Sequence, residues 1–195
     1  MEASTSSKGD SGAKKTYCNF DSKEMMINFW ILAIFWSTSI VNFYAINYYM
    51  PYVPGDVYLN TFYSSLSENV SNLVSGFIYG ILGVNPSFFI GYVLSAFGGL
   101  LIMSGPTGHL MGCCVILAKF AITYVFNIAY MSTPDFFPNN ITTTVMGYLN
   151  IMARVCSTLA PLIAVQPAPV PMIVFVTLSV VPILFVKMLS KSKVK

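Results

Sequence analysis

Long apolar runs, separated by short clusters of proline, glycine and polar residues, dominate this chain. Each run approaches the roughly 20 residues that a helix needs to cross a membrane at 1.5 Å of rise per residue. The pattern predicts six spans, near residues 26–49, 57–83, 87–105, 108–131, 141–165 and 169–188. The predicted breaks lie at Pro51 and Pro54-Gly55, Gly83 to Pro86, Gly105-Pro106, Pro134 to Pro138, and Gln166 to Pro171. Because each connection is short, consecutive helices are expected to be antiparallel neighbours.

Composition supports a membrane protein. Of the 195 residues, 55% are hydrophobic and 9% are charged, and the mean hydropathy is +0.69. A soluble domain usually carries about 25% charged residues, so lipid must replace water over most of this surface. We therefore expect an all-α membrane protein. The net charge of +3 lies mostly at the chain ends and does not favour a nucleic-acid partner.

The two ends differ from the middle and set the predicted organisation. Residues 1–22 are rich in Ser, Gly and Lys and lack the apolar core of a secretory signal. Alone in water such a segment is expected to be disordered, so an ordered tail would need the surface of another protein, and we expect this polar tail to be bound by a partner. A six-helix bundle is predicted over residues 23–190, followed by a basic tail at 191–195.

Basic residues cluster on one side of the predicted bundle. Of ten Lys and Arg residues, eight flank the spans: Lys8, Lys14, Lys15, Lys23, Lys187, Lys191, Lys193 and Lys195. An even number of spans places both ends on the same side. The positive-inside rule predicts that this side is the cytosol or the mitochondrial matrix.

A few polar residues fall inside the predicted spans. Glu68, Lys119 and Arg154 are charged, and Asn127 is a further candidate. A charge at membrane depth costs at least about 2.5 kcal/mol, so each should face the bundle. These residues either line a polar cavity for a charged solute or proton, or form buried pairs retained from a transporting ancestor. Glu68 and Arg154 are both near mid-depth, and sequence leaves open whether they pair.

Small residues recur in the second and third spans and predict close helix packing in lipid. They are Ser64, Ser65, Ser67, Ser71 and Ser75, then Gly91, Ser95, Gly98 and Gly99.

Signals for catalysis or metal binding are weak. The cysteines form no C-x-x-C pair, and the single His109 has no ligand partner at metal spacing. We expect no metal, no cofactor and no enzymatic activity.

The stretch from Lys119 to Pro161 resembles the organic cation/anion transporter branch of the major facilitator superfamily. Lys119 to Thr123 and Phe126 to Tyr130 resemble its tenth helix, and Asp135-Phe136-Phe137-Pro138 resembles the acidic and aromatic ending of that helix. Further matches are Gly147, Met152-Ala153-Arg154-Val155, Ala160-Pro161 and Pro54 to Asn60. Glu68 lies where the family has a glutamate in its eighth helix. The resemblance covers about residues 25–188.

This resemblance implies a six-transmembrane-helix half of a major facilitator fold, built of two inverted three-helix repeats. The family also carries basic residues on its inside face. Here the stretch from Gly80 to Pro86 has no charge, and Thr142 occupies the place of an Arg. The loss of these charges puts the rocking motion of a transporter in doubt.

Two functions remain open from the sequence. In the first, the chain is a non-catalytic accessory subunit, derived from half of an organic-ion transporter, whose partners are other membrane protein subunits and lipids. A respiratory-chain complex of the mitochondrial inner membrane is the leading example. In the second, it transports small organic ions as a dimer or with a separate N-terminal half, and Arg154 meets an anionic solute. Both imply an integral membrane location, with the plasma membrane or another organelle as alternatives.

Overall fold

The computed structural model describes residues 23–53, 56–105, 109–167 and 169–189, and within them the chain is almost entirely helical. The predicted tails and the His109 side chain lie outside the described residues. The helices are α1 (Lys23–Tyr49), α2 (Val57–Leu82), α3 (Val84–Met103), α4 (His109–Phe136), α5 (Asn139–Ser157), α6 (Leu159–Ala164) and α7 (Val170–Val186). A short 3-10 turn, Met50–Tyr52, follows α1.

Helices α1 and α4 form the centre of the bundle. α4 packs against α1, α2 and α3, whereas α1 packs against α4, α5, α6 and α7. α3 and α7 pack on each other behind this central pair, while α2 and α5 occupy opposite flanks. One side of the molecule therefore presents the helices in the order α2, α4, α1, α5, with α3 and α7 on the other side.

The small residues act as the sequence predicts. Ser67 and Ser71 of α2 donate hydrogen bonds to the backbone carbonyls of Ile116 (3.2 Å) and Phe120 (2.8 Å) on α4. In α3, a Cβ added to Gly98 would lie 2.8 Å from the Ala118 Cα. No hydrophobic effect drives helices together in lipid, so these hydrogen bonds and the close approach of the backbones stabilise the packing instead.

Polar contacts also connect α1 to the helices behind it. The Tyr92 hydroxyl of α3 lies 3.1 Å from both Thr38 Oγ1 and Ser39 Oγ, and it donates to the Phe35 carbonyl at 3.0 Å. Asn42 of α1 donates to Ser179 of α7 at 3.0 Å. These groups are fully or largely buried, so the bonds provide partners that lipid could not.

The structure corrects three predicted boundaries. Pro134 does not end the fourth span but lies inside α4, which continues to Phe136. The predicted span at 141–165 is interrupted at Thr158, where α5 ends and α6 begins. The predicted break from Gly83 to Pro86 narrows to Gly83, whose φ of 77° suits a residue without a Cβ. Pro86 lies in the first turn of α3, where the missing N–H has no helical partner to lose.

Four segments in the described part of the chain are long and apolar enough to cross a membrane. They are Lys23–Tyr52, Val84–Met103, Leu110–Phe136 and Asn139–Ala164. α7 is apolar but shorter, and α2 is long but carries many polar residues. The protein is thus an all-α membrane protein, as its composition predicts.

Candidate functional site

Two of the predicted polar residues form an ion pair. Glu68 Oε1 of α2 lies 2.7 Å from Lys119 Nζ of α4. The Lys119 side chain is fully buried, whereas that of Glu68 retains 30% exposure. The packing of α2 on α4 through their serine contacts places the two side chains opposite each other. Glu68 thus pairs with Lys119, and the pairing with Arg154 that sequence left open does not form.

Lys119 has two further contacts, both with α1. Its ammonium donates a hydrogen bond to Asn47 Oδ1, and it lies 3.7 Å from the centroid of the Phe43 ring. A buried ammonium has three N–H donors and attracts the face of an aromatic ring. The contacts of Lys119 therefore connect α2, α4 and α1.

Asn127 also bridges α2 and α4. Its Nδ2 lies 2.6 Å from Asn72 Oδ1. Asn72 follows Glu68 by four residues and lies on the same face of α2. This amide pair extends the polar contact between the two helices by about one turn.

Arg154 stands apart from the Glu68–Lys119 pair. It lies exposed on α5, where its Nη1 donates to the Tyr44 hydroxyl of α1 at 3.1 Å and its Nε lies 3.4 Å from Asn150 Oδ1. In the described ranges, no carboxylate lies within ion-pair distance of this guanidinium. Arg154 is therefore a cation with only uncharged partners there.

The three charges lie at one level of the bundle. α2 and α4 begin, and α6 ends, at the same end of the molecule, because short connections join α1 to α2, α3 to α4 and α6 to α7 there. Each charged residue is about ten or eleven residues from that end, or about 15–17 Å at 1.5 Å per residue. This distance is about half of a 30 Å hydrocarbon core.

All of these groups belong to the side formed by α2, α4, α1 and α5. We call this surface the polar wall; its residues are Tyr44, Asn47, Glu68, Asn72, Lys119, Asn127 and Arg154. One ion pair and three hydrogen bonds among these residues connect α2 to α4, α4 to α1, and α1 to α5. Glu68 and Lys119 cancel, so the wall carries one uncompensated positive charge.

Aromatic rings fill the space between α1 and α4 beside the polar wall. Trp36 and Tyr130 lie 4.1 Å apart by ring centroids, and Phe43 stacks with Phe126 at 6.0 Å. Trp36 also donates to Thr133 Oγ1 at 3.3 Å, which satisfies its N–H in the bundle. The rings hold the two central helices in register and carry no charge of their own.

At the end of the bundle where α2 and α4 finish, a hydrogen bond from a hydroxyl group joins the two helices. The resembled family has basic residues in this region. The Tyr79 hydroxyl of α2 donates to Asp135 Oδ2 of α4 at 2.7 Å. Thr142, in the place of the family's Arg, is buried and bonds to the carbonyls of Phe137 and Pro138. A hydroxyl donor of α2 and a carboxylate of α4 thus connect the two helices at this end.

Sequence reasoning found four members of the polar wall and missed the rest. The missed residues are Tyr44, Asn47 and Asn72. A signal was present: Tyr44 and Asn47 are three residues apart on α1, and Glu68 and Asn72 are four apart on α2, spacings that place each pair on one helix face. This spacing marks the three residues as candidates, whereas the residue that each one contacts depends on how the helices pack.

The fold and composition define an α-helical integral membrane protein. No protein-family model matches the chain. Among curated proteins, it is similar to solute carrier family 22 member 4 of Mus musculus, with 31% identity over 130 residues. The match covers 65% of this chain, which spans 23% of the length of that relative. The likeness supports a transporter-related origin and a relationship of the major facilitator type.

Proposed function

We propose that this chain is a non-catalytic accessory membrane subunit, derived from the C-terminal half of an organic-ion transporter, which packs its polar wall against another membrane protein. One observation carries the proposal: three charged side chains lie at one level of one wall, and Arg154 is exposed without a carboxylate partner in the described ranges. A lipid-facing guanidinium near mid-depth is costly, so a protein surface that covers it would be stabilising.

The proposed architecture is a six-helix half-bundle. α5 and α6 together serve as the fifth span, because their combined segment, Asn139–Ala164, has the length of one crossing. α7 spans Val170–Val186 and reaches about 25 Å, near the lower limit for a crossing. The polar residues of α2 lower its hydropathy, but Ser64, Ser67, Ser71 and Ser75 are buried inside the bundle. These features support six crossings, which the resembled fold arranges as two three-helix repeats of inverted orientation.

The proposed orientation in the membrane follows from charge. The flanking lysines favour both ends on the cytosolic or matrix side. We propose a respiratory-chain assembly of the mitochondrial inner membrane as the host, with the lysine-rich tail at 1–22 held by carboxylates of a neighbouring subunit. Cell fractionation tests the location, and recovery of the chain in the plasma membrane alone would contradict it.

Transport of small organic ions is the second candidate, favoured by the likeness to a solute carrier. On this alternative, the polar wall lines half of a central cavity, and the exposed Arg154 binds an anionic solute. Closure would need a second copy or a separate N-terminal half. The loss of inside-face basic residues argues against the alternating motion that transport requires.

A single extraction experiment tests the proposed function. The native membrane is dissolved in mild detergent, and the particle that contains this chain is sized and its subunits identified. We expect a particle much larger than 21.4 kDa that contains further membrane proteins. A stable, monodisperse monomer would contradict the proposal. Saturable flux of an organic anion in liposomes, abolished by Arg154→Ala, would establish the transport alternative instead.

A further inference from the structure

The two edges of the polar wall carry opposite charges. Glu68 lies on α2 at one edge and Arg154 lies on α5 at the other, with α4 and α1 between them. Both residues are at the same level of the bundle, about 15–17 Å from the same end. The wall therefore presents an acidic side chain and a basic side chain at matched depth on opposite edges.

Each edge helix also carries an exposed polar arc. On α2, Glu68 shares its arc with Thr61, Ser65, Asn72 and Gly76. On α5, Arg154 shares its arc with Thr143, Gly147 and Asn150. At about 100° per residue, each arc lies next to the face that packs into the bundle.

Large apolar side chains cover the remaining surface of the same two helices. On α2 they include Leu66, Leu73 and Phe77, and on α5 they include Tyr148, Ile151 and Val155, all strongly exposed. Lipid solvates these residues well, whereas it does not solvate the polar arcs. Each edge helix is thus divided into a lipid-facing side and a side that suits contact with protein.

A two-fold axis along the membrane normal would bring these edges together. When two copies face each other across such an axis, α2 of each copy meets α5 of the other, and both copies keep the same membrane orientation. This arrangement is isologous, because the same surface is used twice. We propose that a second copy of this chain covers the polar wall, with Glu68 of each copy facing Arg154 of the other.

The matched depth of Glu68 and Arg154 on opposite edges favours the second copy as occupant, because each copy offers a partly exposed carboxylate where the Arg154 guanidinium of the other copy has only uncharged partners among the described residues. Glu68 Oε1 holds Lys119, and the other carboxylate oxygen has capacity for a further donor. Arg154 offers N–H donors beyond those bonded to Tyr44 and Asn150. Each dimer then contains two shared Lys–Glu–Arg clusters, and these bonds are charge-assisted. The inference rests on the proposed function only in requiring that another protein cover the wall.

Two open glycines allow a cross-linking test. A Cβ at Gly76 on α2 or at Gly147 on α5 would meet nothing within 4 Å, so both positions accept cysteine without internal strain. The variant Gly76→Cys/Gly147→Cys is made in the full chain with its native cysteines replaced by alanine. The matched control is Phe77→Cys/Tyr148→Cys, at adjacent positions on the lipid-facing sides, which are 72% and 54% exposed.

Oxidation in native membranes, followed by denaturing electrophoresis and mass spectrometry, gives the readout. We expect the glycine-derived pair to form a disulfide-linked homodimer joining position 76 of one copy to 147 of the other, at least fivefold more than the control pair. Equal yields would overturn the proposal. A large assembly with no 76–147 link between copies would overturn the second copy as occupant but leave the proposed function standing. A monomer would overturn both.

A charge test complements the cross-link. In detergent, Arg154→Gln should raise the dissociation constant of the dimer at least tenfold, whereas Arg154→Lys, which retains the charge, should raise it less. Helical circular dichroism of both variants checks that the bundle still folds. An unchanged dissociation constant for Arg154→Gln would show that Arg154 does not contribute to the contact between copies.

Discussion

Lys119 is fully buried in α4, and its ammonium pairs with the Glu68 carboxylate of α2 at 2.7 Å. The same ammonium bonds to Asn47 and lies over the Phe43 ring of α1. This one side chain therefore joins three helices of the polar wall. Removing one partner of a buried cation strongly destabilises a protein, because no water can replace the lost partner.

The ion pair should be a strongly coupled unit. Glu68→Gln removes the negative partner and should destabilise the bundle by about 2–3 kcal/mol, less than for a fully buried pair because Glu68 is 30% exposed. Lys119→Gln should also destabilise it. The double variant should be more stable than the sum of the single changes predicts. Thermal unfolding in detergent measures all three, and strictly additive effects would contradict the pairing.

α3 and α4 pack so closely at Gly98 that an added methyl group should disturb their contact. A Cβ there would lie 2.8 Å from the Ala118 Cα and 2.9 Å from its Cβ, and neither atom can rotate away. We expect Gly98→Ala to destabilise the bundle by about 1–3 kcal/mol. The control is Gly80→Ala, where a Cβ meets nothing within 4 Å. Equal melting temperatures for the two variants would show that the helices are not in contact there.

The sequence predicted the helical class well and the boundaries less well. Apolar runs and breakers located the helices because lipid imposes a long, uniform apolar requirement on each crossing. Pro134 misled the prediction because a proline, which lacks one N–H and crowds the carbonyl four residues back, can kink a helix without ending it. The interruption at Thr158 carries no glycine or proline of its own, although Pro161 follows within α6.

The polar wall was predicted in part. Glu68, Lys119, Asn127 and Arg154 were recognisable because charged and amide groups are rare at membrane depth. Their partners were not, since pairing depends on how each helix is rotated about its axis. The contact of Lys119 with Asn47, distant in sequence, requires the packing of α1 on α4 and cannot be read from spacing within one helix.

The Tyr92 hydroxyl should contribute modestly to stability. Its neighbours Thr38 and Ser39 also bond to the backbone carbonyls of Ile34 and Phe35, so neither is orphaned when the hydroxyl is removed. We expect Tyr92→Phe to cost about 0.6–1.7 kcal/mol in detergent unfolding. Tyr58→Phe, on a side chain that is 87% exposed, should have no measurable effect. A loss above about 3 kcal/mol would mean that the network depends on the hydroxyl far more than the geometry indicates.

Both chain ends should face the same side of the membrane. Cysteines introduced at Ser6 and Ser192, in a background without native cysteines, should react with an impermeant maleimide only after the cytosolic or matrix side is opened. The basic residues that flank the bundle at both ends are the reason. Reaction from opposite sides would require an odd number of spans and would contradict the half-bundle.

Photo-cross-linking identifies what touches the polar wall. A photo-reactive phenylalanine analogue replaces Ser65, in the polar arc of α2, or Leu66, the adjacent exposed residue on its lipid-facing side. After illumination of native membranes, mass spectrometry separates protein adducts from lipid adducts. We expect mainly protein adducts from position 65 and mainly lipid adducts from position 66. Lipid adducts in equal proportion from both positions would show that the wall faces the bilayer and that no protein covers it.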